Sequence, residues 1–233
     1  MSIQLALQQV RQNILLAQEK SPYAMRGEVK LLAVSKTQPV ERIAEACHAG
    51  QKIFAENRVQ ELVEKQQVFP NVSWHLIGHL QTNKVRHIVN KIELLHSLES
   101  IGLADELQKR LSVFETVLPV LIQVNIAEEQ SKYGLAPNEV SDFLDALADF
   151  PALQVQGLMT IGPLTAQGEE IRPIFRELRR LLQQEKKRYL PHTALHHLSM
   201  GMSGDYMIAV EEGATMVRVG SSIFGARSVM YDS

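Results

Sequence analysis

A lysine at the carboxyl end of a buried strand can lose enough solvation to shed its proton, and an unprotonated amine can form a Schiff base with a carbonyl group. Lys36 occupies such a place, in the run LLAVSKTQP (31–39), where a short apolar segment ends just before a helix that Pro39 starts. The ordinary alternative is a solvated lysine that closes a strand. A second chemistry resides in two runs rich in glycine and serine, SMGMSGD (199–205) and GSSIFG (220–225). Their glycines let the backbone approach an anion, their serines offer hydroxyl donors, and Asp205 can cap the helix expected to begin there. Ordinary turns have the same composition, so these runs gain meaning only from where the fold puts them.

Other reactive types carry less. His75 and His79 are four apart and lack carboxylate neighbours in sequence, which makes a metal site an outside reading. Glu56 is either an acid near Lys36 or an interior residue bonded to its neighbours, and both readings stay open. Cys47 lies on a helical face in ERIAEACHAG, where a packed thiol is the expectation. The basic run RRLLQQEKKR (179–188) has apolar residues at helical spacing and reads as a solvated face.

These residues need a frame, and the apolar pattern predicts one. Strands are expected at 31–35, 52–56, 73–78, 94–98, 117–125, 154–160, 196–200 and 216–220. Helical periodicity fills the intervals at 40–49, 58–67, 81–90, 101–112, 138–149, 168–189 and 205–212, after an opening helix at about 3–19. Eight strands alternating with helices, without a linker or a composition shift, predict one (β/α)8 barrel over residues 1–233 with an extra amino-terminal helix. An open doubly wound sheet is the rival, but no GxGxxG turn follows the first strand. In such barrels the reactive groups collect at the carboxyl ends of the strands, and phosphate binds after strands seven and eight. That end gathers Lys36, Asn57, His79, His96, Asn125, Thr160, Ser199 and Arg218, with both glycine–serine runs beside the last two strands. A Schiff-base lysine and a phosphate cup in one mouth call for a ligand with an aldehyde and a phosphate. Pyridoxal 5′-phosphate has both.

The chain has 233 residues, 45% hydrophobic and 21% charged, with a formal net charge of −2. That composition can bury a core and gives no bulk attraction to nucleic acid. A single cysteine cannot close an internal disulfide and fits the cytoplasm. The amphipathic first twenty residues carry both charge signs and read as neither a signal peptide nor a membrane span.

Seven motifs in order make the resemblance specific: AVSKTQP (33–39), FAENRVQE (54–61), WHLIGHLQTNK (74–84), SKYG (131–134), GLMTI (157–161), LSMGMSGDY (198–206) and VRVGSSIFG (217–225). The chain resembles the pyridoxal phosphate homeostasis proteins, whose barrel is similar to the amino-terminal domain of alanine racemases. The resemblance implies that Lys36 holds the cofactor covalently and that Arg218 faces the pyridine nitrogen. It also implies that Ser199, Gly220 and Ser221 hold the phosphate, and that Asn57, His79 and Met200 belong to the ring pocket. Lys132 and Tyr133 fall in the SKYG motif without a role that residue chemistry supplies.

A guanidinium opposite the ring nitrogen donates and stays cationic, which disfavours protonation of the ring and weakens it as an electron sink. The racemases complete their chemistry with a tyrosine from a second domain. This chain stops at Ser233, and none of Tyr23, Tyr133, Tyr189, Tyr206 and Tyr231 sits in a racemase-like setting. The expectation is therefore a monomeric binding protein for intracellular cofactor and amino-acid balance, without dedicated turnover. Apo-enzymes that use the cofactor are its candidate recipients, and nucleic acid and membrane are not partners. The alternatives are a racemase-like amino-acid enzyme and a Schiff-base aldolase holding a sugar phosphate.

Overall fold

The computed structural model describes residues 1–23, 27–129, 133–163 and 168–225. Eight parallel strands close into a barrel in chain order: β1 (Lys30–Val34), β2 (Ile53–Glu56), β3 (Ser73–Leu76), β4 (Leu94–Leu98), β5 (Leu118–Gln123), β6 (Leu153–Met159), β7 (Thr193–Ser199) and β8 (Met216–Val219). β8 pairs back onto β1, with Leu32 in register with Arg218, so no sheet edge is left open. All eight expected strands form, displaced at their ends by up to three residues.

Side-chain alternation divides the core into two layers. Leu32, Val34, Ala55, Ile77, Leu94, Leu121, Met159 and Met216 fill the barrel interior. Their neighbours, such as Leu31, Ala33, Phe54, Trp74, Leu95 and Val217, point outward into the layer beneath the helices. That outer layer is covered by α2 (Val40–His48), α3 (Val59–Val68), α4 (Ile101–Val113), α5 (Val140–Ala146), α6 (Arg172–Glu185) and α7 (Tyr206–Glu211). The opening helix α1 (Ile3–Lys20) starts at Ser2, whose hydroxyl accepts the Leu5 N–H at 3.3 Å. It buries Ile3, Ala6, Leu7, Val10, Ile14 and Ala17, a helical stripe, against α2, α7 and the last short helix, α8 (Ser221–Phe224).

Several expectations on the helices are corrected. Residues 81–90 do not form an α-helix; Thr82–His87 is a 3-10 segment in which only Val85 is buried. Its Thr, Asn, Val and His are weak helix formers, and one buried side chain gives little packing to offset that. The segments 138–149 and 168–189 are α-helices only over Val140–Ala146 and Arg172–Glu185, each with 3-10 turns at both ends, and Tyr189 at φ 53° closes the second. The four-residue α8 was not anticipated, being too short to display a period. Among the described residues no helix is long and apolar enough to cross a membrane.

Candidate functional site

Lys36 sits in the turn that leaves β1, half-buried, at the carboxyl end of the barrel. A charged clamp holds this turn from below. The Lys65 ammonium, on α3, donates to the Ser35 carbonyl and to Glu56 Oε1, both at 2.7 Å, and to Glu61 Oε2 at 3.0 Å. Ser35 Oγ donates to the same Glu56 oxygen at 2.6 Å, and the Thr37 N–H donates to Glu61 Oε2 at 2.7 Å. Thr37 has φ 61°, a left-handed conformation unusual for a β-branched residue. The residues on both sides of Lys36 are thus tied to α3, which fixes where the lysine leaves the backbone. Burial pushes the Glu56 carboxyl above its ordinary range, with Lys65 and Ser35 pulling the other way. Burial also acts to raise Glu61, but the Thr37 N–H and Lys65 hold it below the usual range. Glu56 therefore belongs to the scaffold beneath the Lys36 turn.

Arg218 lies on β8 and is 3% exposed. Its guanidinium donates to Ser199 Oγ at 2.6 Å and to the Thr160 carbonyl at 2.8 Å, both neutral acceptors. Asp205 acts on it only through space, and burial lowers its pKa to about 10, which leaves it cationic at neutral pH. Ser199, fully buried, lies 2.9 Å from His96 Nδ1, and His96 Nε2 lies 2.9 Å from His75 Nδ1. Burial holds both imidazoles neutral, with His75 at about 3 and His96 well below its ordinary range. His75 is thus an interior residue of β3, far in role from His79, which stands in the loop beyond that strand's end.

The two glycine–serine runs meet. Ser203 Oγ accepts the Gly220 N–H at 3.2 Å and the Ser222 N–H at 3.4 Å, so two backbone donors converge on one oxygen. Gly220 packs over the end of β1, where an added Cβ would lie 3.3 Å from the Val34 carbonyl oxygen. That close approach brings the loop after β8 beside the turn carrying Lys36. Asp205 precedes α7 but does not cap it with its side chain; its carboxylate accepts the Met202 N–H at 2.5 Å and folds the loop instead. Ser221 is exposed at the rim.

The far rim is built by the loops after β3, β4 and β5. His79 Nδ1 pairs with Glu99 Oε1 at 2.6 Å, and the imidazole stacks on the Tyr133 ring with centroids 4.0 Å apart and planes at 12°. Asn57 is half-buried beyond β2. Gly78 is required there, since a Cβ on it would fall 2.1 Å from the Asn57 carbonyl oxygen. Met200 is fully buried in the layer between strands and helices, so it reaches this mouth only through its backbone. Lys132 and Tyr231 lie outside the described residues.

Residues 5–228 match the family described as alanine racemase, N-terminal domain. The chain is 45% identical over 208 residues to the pyridoxal phosphate homeostasis protein of Aquifex aeolicus, covering 88% of this chain and 90% of that one. The Pasteurella multocida protein of the same name is 42% identical over 233 residues, covering 97% and 98%. The chain belongs to the pyridoxal phosphate homeostasis protein family. Among solved structures, PipY of Synechococcus elongatus PCC7942 with PLP bound matches with a TM-score of 0.83 at 34% identity, covering 96% of this chain and all of that one. An alanine racemase of Clostridium difficile shares the fold at 13% identity, with a TM-score of 0.73 and 57% of its own length covered.

Within this family frame, the mouth unites Lys36, Gly220 and Ser221 on one side and brings Asn57 and His79 to the other. Sequence reasoning missed Ser203, Glu99 and Lys65 as contributors to it. Ser203 stood inside a run already singled out, and Glu99 follows β4 as directly as His79 follows β3, so both positions were legible. Lys65 was not, because nothing in a helical QELVEKQQ pattern marks one lysine as buried.

Proposed function

We propose that this protein binds pyridoxal 5′-phosphate in the barrel mouth, with Lys36 as the point of covalent attachment, and serves as a carrier or reservoir of that cofactor without dedicated turnover. The observation that carries the reading is the pairing of a buried, cationic, donor-only Arg218 having neutral partners with a convergent pair of N–H groups, at the same end of the barrel as Lys36. These donors fit the group. A guanidinium without a contacting carboxylate suits an uncharged heteroaromatic nitrogen. The Gly220 and Ser222 N–H groups already face an oxygen and can face a phosphate oxygen in the same way. The pyridoxal phosphate homeostasis proteins among the relatives and the PLP-bound PipY structure support the same assignment.

When bound, the cofactor supplies an aldehyde for reversible linkage to amines and an aromatic ring that withdraws electrons. The chain's own residues limit the second property. Arg218 remains charged near neutral pH, so it donates to the ring nitrogen and repels a proton there. The clamp of Lys65, Glu56 and Glu61 fixes the Lys36 backbone, and Ser203, Gly220, Ser221 and Ser222 hold the phosphate end. Asn57 and His79 flank the ring. The proposal extends to a monomer in the cytoplasm that passes its cofactor to apo-enzymes, in keeping with a chain whose one cysteine, Cys47, is unpaired.

Borohydride reduction of the loaded protein followed by peptide mapping is expected to place the pyridoxyl mass on Lys36. A mass on another lysine, or none, overturns the attachment, and absence of any bound chromophore overturns the cofactor reading in favour of an aldolase. One observation favours an enzyme instead: His79 and Glu99 stand paired at the rim, an imidazole–carboxylate arrangement of the kind used in general acid–base catalysis. Incubation with L- and D-alanine in deuterated water decides this point. We expect neither α-deuterium nor inversion, and lysine-dependent incorporation at an enzyme-like rate would establish catalysis.

A further inference from the structure

The barrel interior carries a run of buried polar side chains behind Arg218 whose bonding the proposed binding roles do not explain. Arg218, Ser199, His96 and His75 come from β8, β7, β4 and β3, and consecutive members are 2.6, 2.9 and 2.9 Å apart. Four strands contributing one residue each to a buried line is costly unless every polar group in it is matched.

The direction of every bond in this line follows from one fixed point. A guanidinium has donors and no acceptor, so Ser199 Oγ accepts from Arg218. The Ser199 hydroxyl hydrogen then has one remaining partner in the line, His96 Nδ1, which must be unprotonated to receive it. A neutral His96 accordingly carries its proton on Nε2 and donates to His75 Nδ1, which places the His75 proton on its own Nε2. The reverse tautomers would make Ser199 accept from both sides and leave its hydroxyl hydrogen without an acceptor in the barrel interior. A charged His96 would aim a second cationic donor at the oxygen already holding Arg218. The neighbouring groups do not favour that state: His75, His197 and Lys30 lie around His96 together with Arg218, and all are basic.

We infer that His96 and Ser199 are positioning residues for Arg218, forming a one-way hydrogen-bond chain from Arg218 through Ser199 and His96 to His75 that fixes the guanidinium plane facing the ligand. The inference rests on the cofactor reading for its effect on binding, but the chain itself exists without a ligand. It also gives Ser199 a role different from that of a phosphate donor. A phosphate donor distinguishes pyridoxal 5′-phosphate from pyridoxal. A residue that acts through Arg218 does not, because both ligands present the same ring nitrogen. Asn at position 96 retains an acceptor where Nδ1 stood, whereas Phe removes it, so the two substitutions separate bonding from packing.

The experiment has two arms. In the first, nitrogen-15 imidazole spectra of the ligand-free protein at pH 7 are expected to show His75 and His96 both as the neutral Nε2–H tautomer. An Nδ1–H tautomer or an imidazolium at His96 overturns the chain, whatever the protein binds. In the second, affinities for pyridoxal 5′-phosphate and for pyridoxal are measured on the wild type, Ser199→Ala, His96→Phe, His96→Asn and Ser203→Ala. Ser199→Ala and His96→Phe are expected to weaken both ligands by the same factor, roughly three- to tenfold, the size of one hydrogen bond. His96→Asn should recover most of that loss, while Ser203→Ala should weaken the phosphate ester alone. Loss at Ser199→Ala confined to the phosphate ester overturns the positioning role. Failure of the wild type to bind either ligand overturns the cofactor reading while the tautomer result stands.

Discussion

Among the described residues two cations are buried, Lys65 and Arg218, and the protein treats them in opposite ways. Lys65, 6% exposed, is met by two carboxylates and a carbonyl within 3.0 Å. Arg218, 3% exposed, is met by a hydroxyl and a carbonyl, with its nearest acting carboxylate, Asp205, engaged by the Met202 N–H. The charge on Lys65 is satisfied inside the fold, so its work is to hold the Lys36 turn in place. Among the described residues no carboxylate contacts Arg218, which under the proposed reading leaves its charge to a ligand. A buried cation closed off by acids marks scaffold, and one left among neutral acceptors marks a site.

The contrast predicts its largest effect at Lys65. Lys65→Met removes the ammonium and leaves Glu56 buried beside Ser35 with no cation, a change that typically costs about 3–5 kcal/mol. Urea unfolding at pH 7 should show that loss, and Glu56→Gln in the same background should return most of it. The sign of its pH dependence is also set. Without Lys65 the folded-state pKa of Glu56, already raised, rises further, so the deficit shrinks as pH falls and Glu56 takes up a proton. A Lys65→Met protein within about 1 kcal/mol of wild type would mean that the clamp is not what fixes the turn.

The neutral line behind Arg218 predicts the next effect. His75 has a folded-state pKa of about 3 against an ordinary 6.5, so it contributes stability that is present above 6.5 and lost as pH falls toward 3. Between pH 6.5 and pH 5 this amounts to ~2 kcal/mol for one imidazole at 1.36 kcal/mol per unit. His96 is shifted in the same direction and adds to the loss, while the raised Glu56 works against it. Unfolding free energies measured at pH 7 and pH 5 should differ by ~2 kcal/mol less in His75→Asn than in the wild type. Equal drops in the two proteins would show that His75 is hydrated or already charged.

The two regions also differ in how far the sequence disclosed them. The placement of Lys36 and Arg218 was legible because one just follows and the other lies within a short apolar run that reads as a buried strand, and a barrel brings the ends of such strands together. That the loop holding Gly220 and Ser221 lies beside the loop holding Ser203 was legible from turn chemistry and barrel order. The Asp205 cap failed because an Asp before a helix has two backbone donors to choose from, and the loop's own Met202 N–H wins. The 81–90 helix failed because apolar residues three and four apart, Val85, Ile88 and Val89, can be buried by a 3-10 segment and the turn after it as readily as by an α-helix. Lys65, Glu99 and the His75–His96 pairing depend on residues 9 to 21 positions apart whose meeting is decided by barrel closure, a property of the whole chain and of no local window.

The smallest predicted change in stability is the sharpest test of the comparison. Arg218→Met replaces a buried cation by an apolar side chain of similar length. The folded state then escapes the desolvation that already depresses the Arg218 pKa, which favours the variant. Against that gain, the Thr160 carbonyl and Ser199 Oγ each lose a donor, at about 1 kcal/mol per hydrogen bond. The opposing effects are of similar size, so the unfolding free energy should stay within about 1 kcal/mol of wild type, in contrast to Lys65→Met. Ligand affinity should behave the other way round, falling for Arg218→Met because the proposed donor to the ring nitrogen is then removed. If Arg218→Met instead unfolds as readily as Lys65→Met, the guanidinium is a structural cation like its counterpart. The absence of a contacting carboxylate would then no longer mark a site.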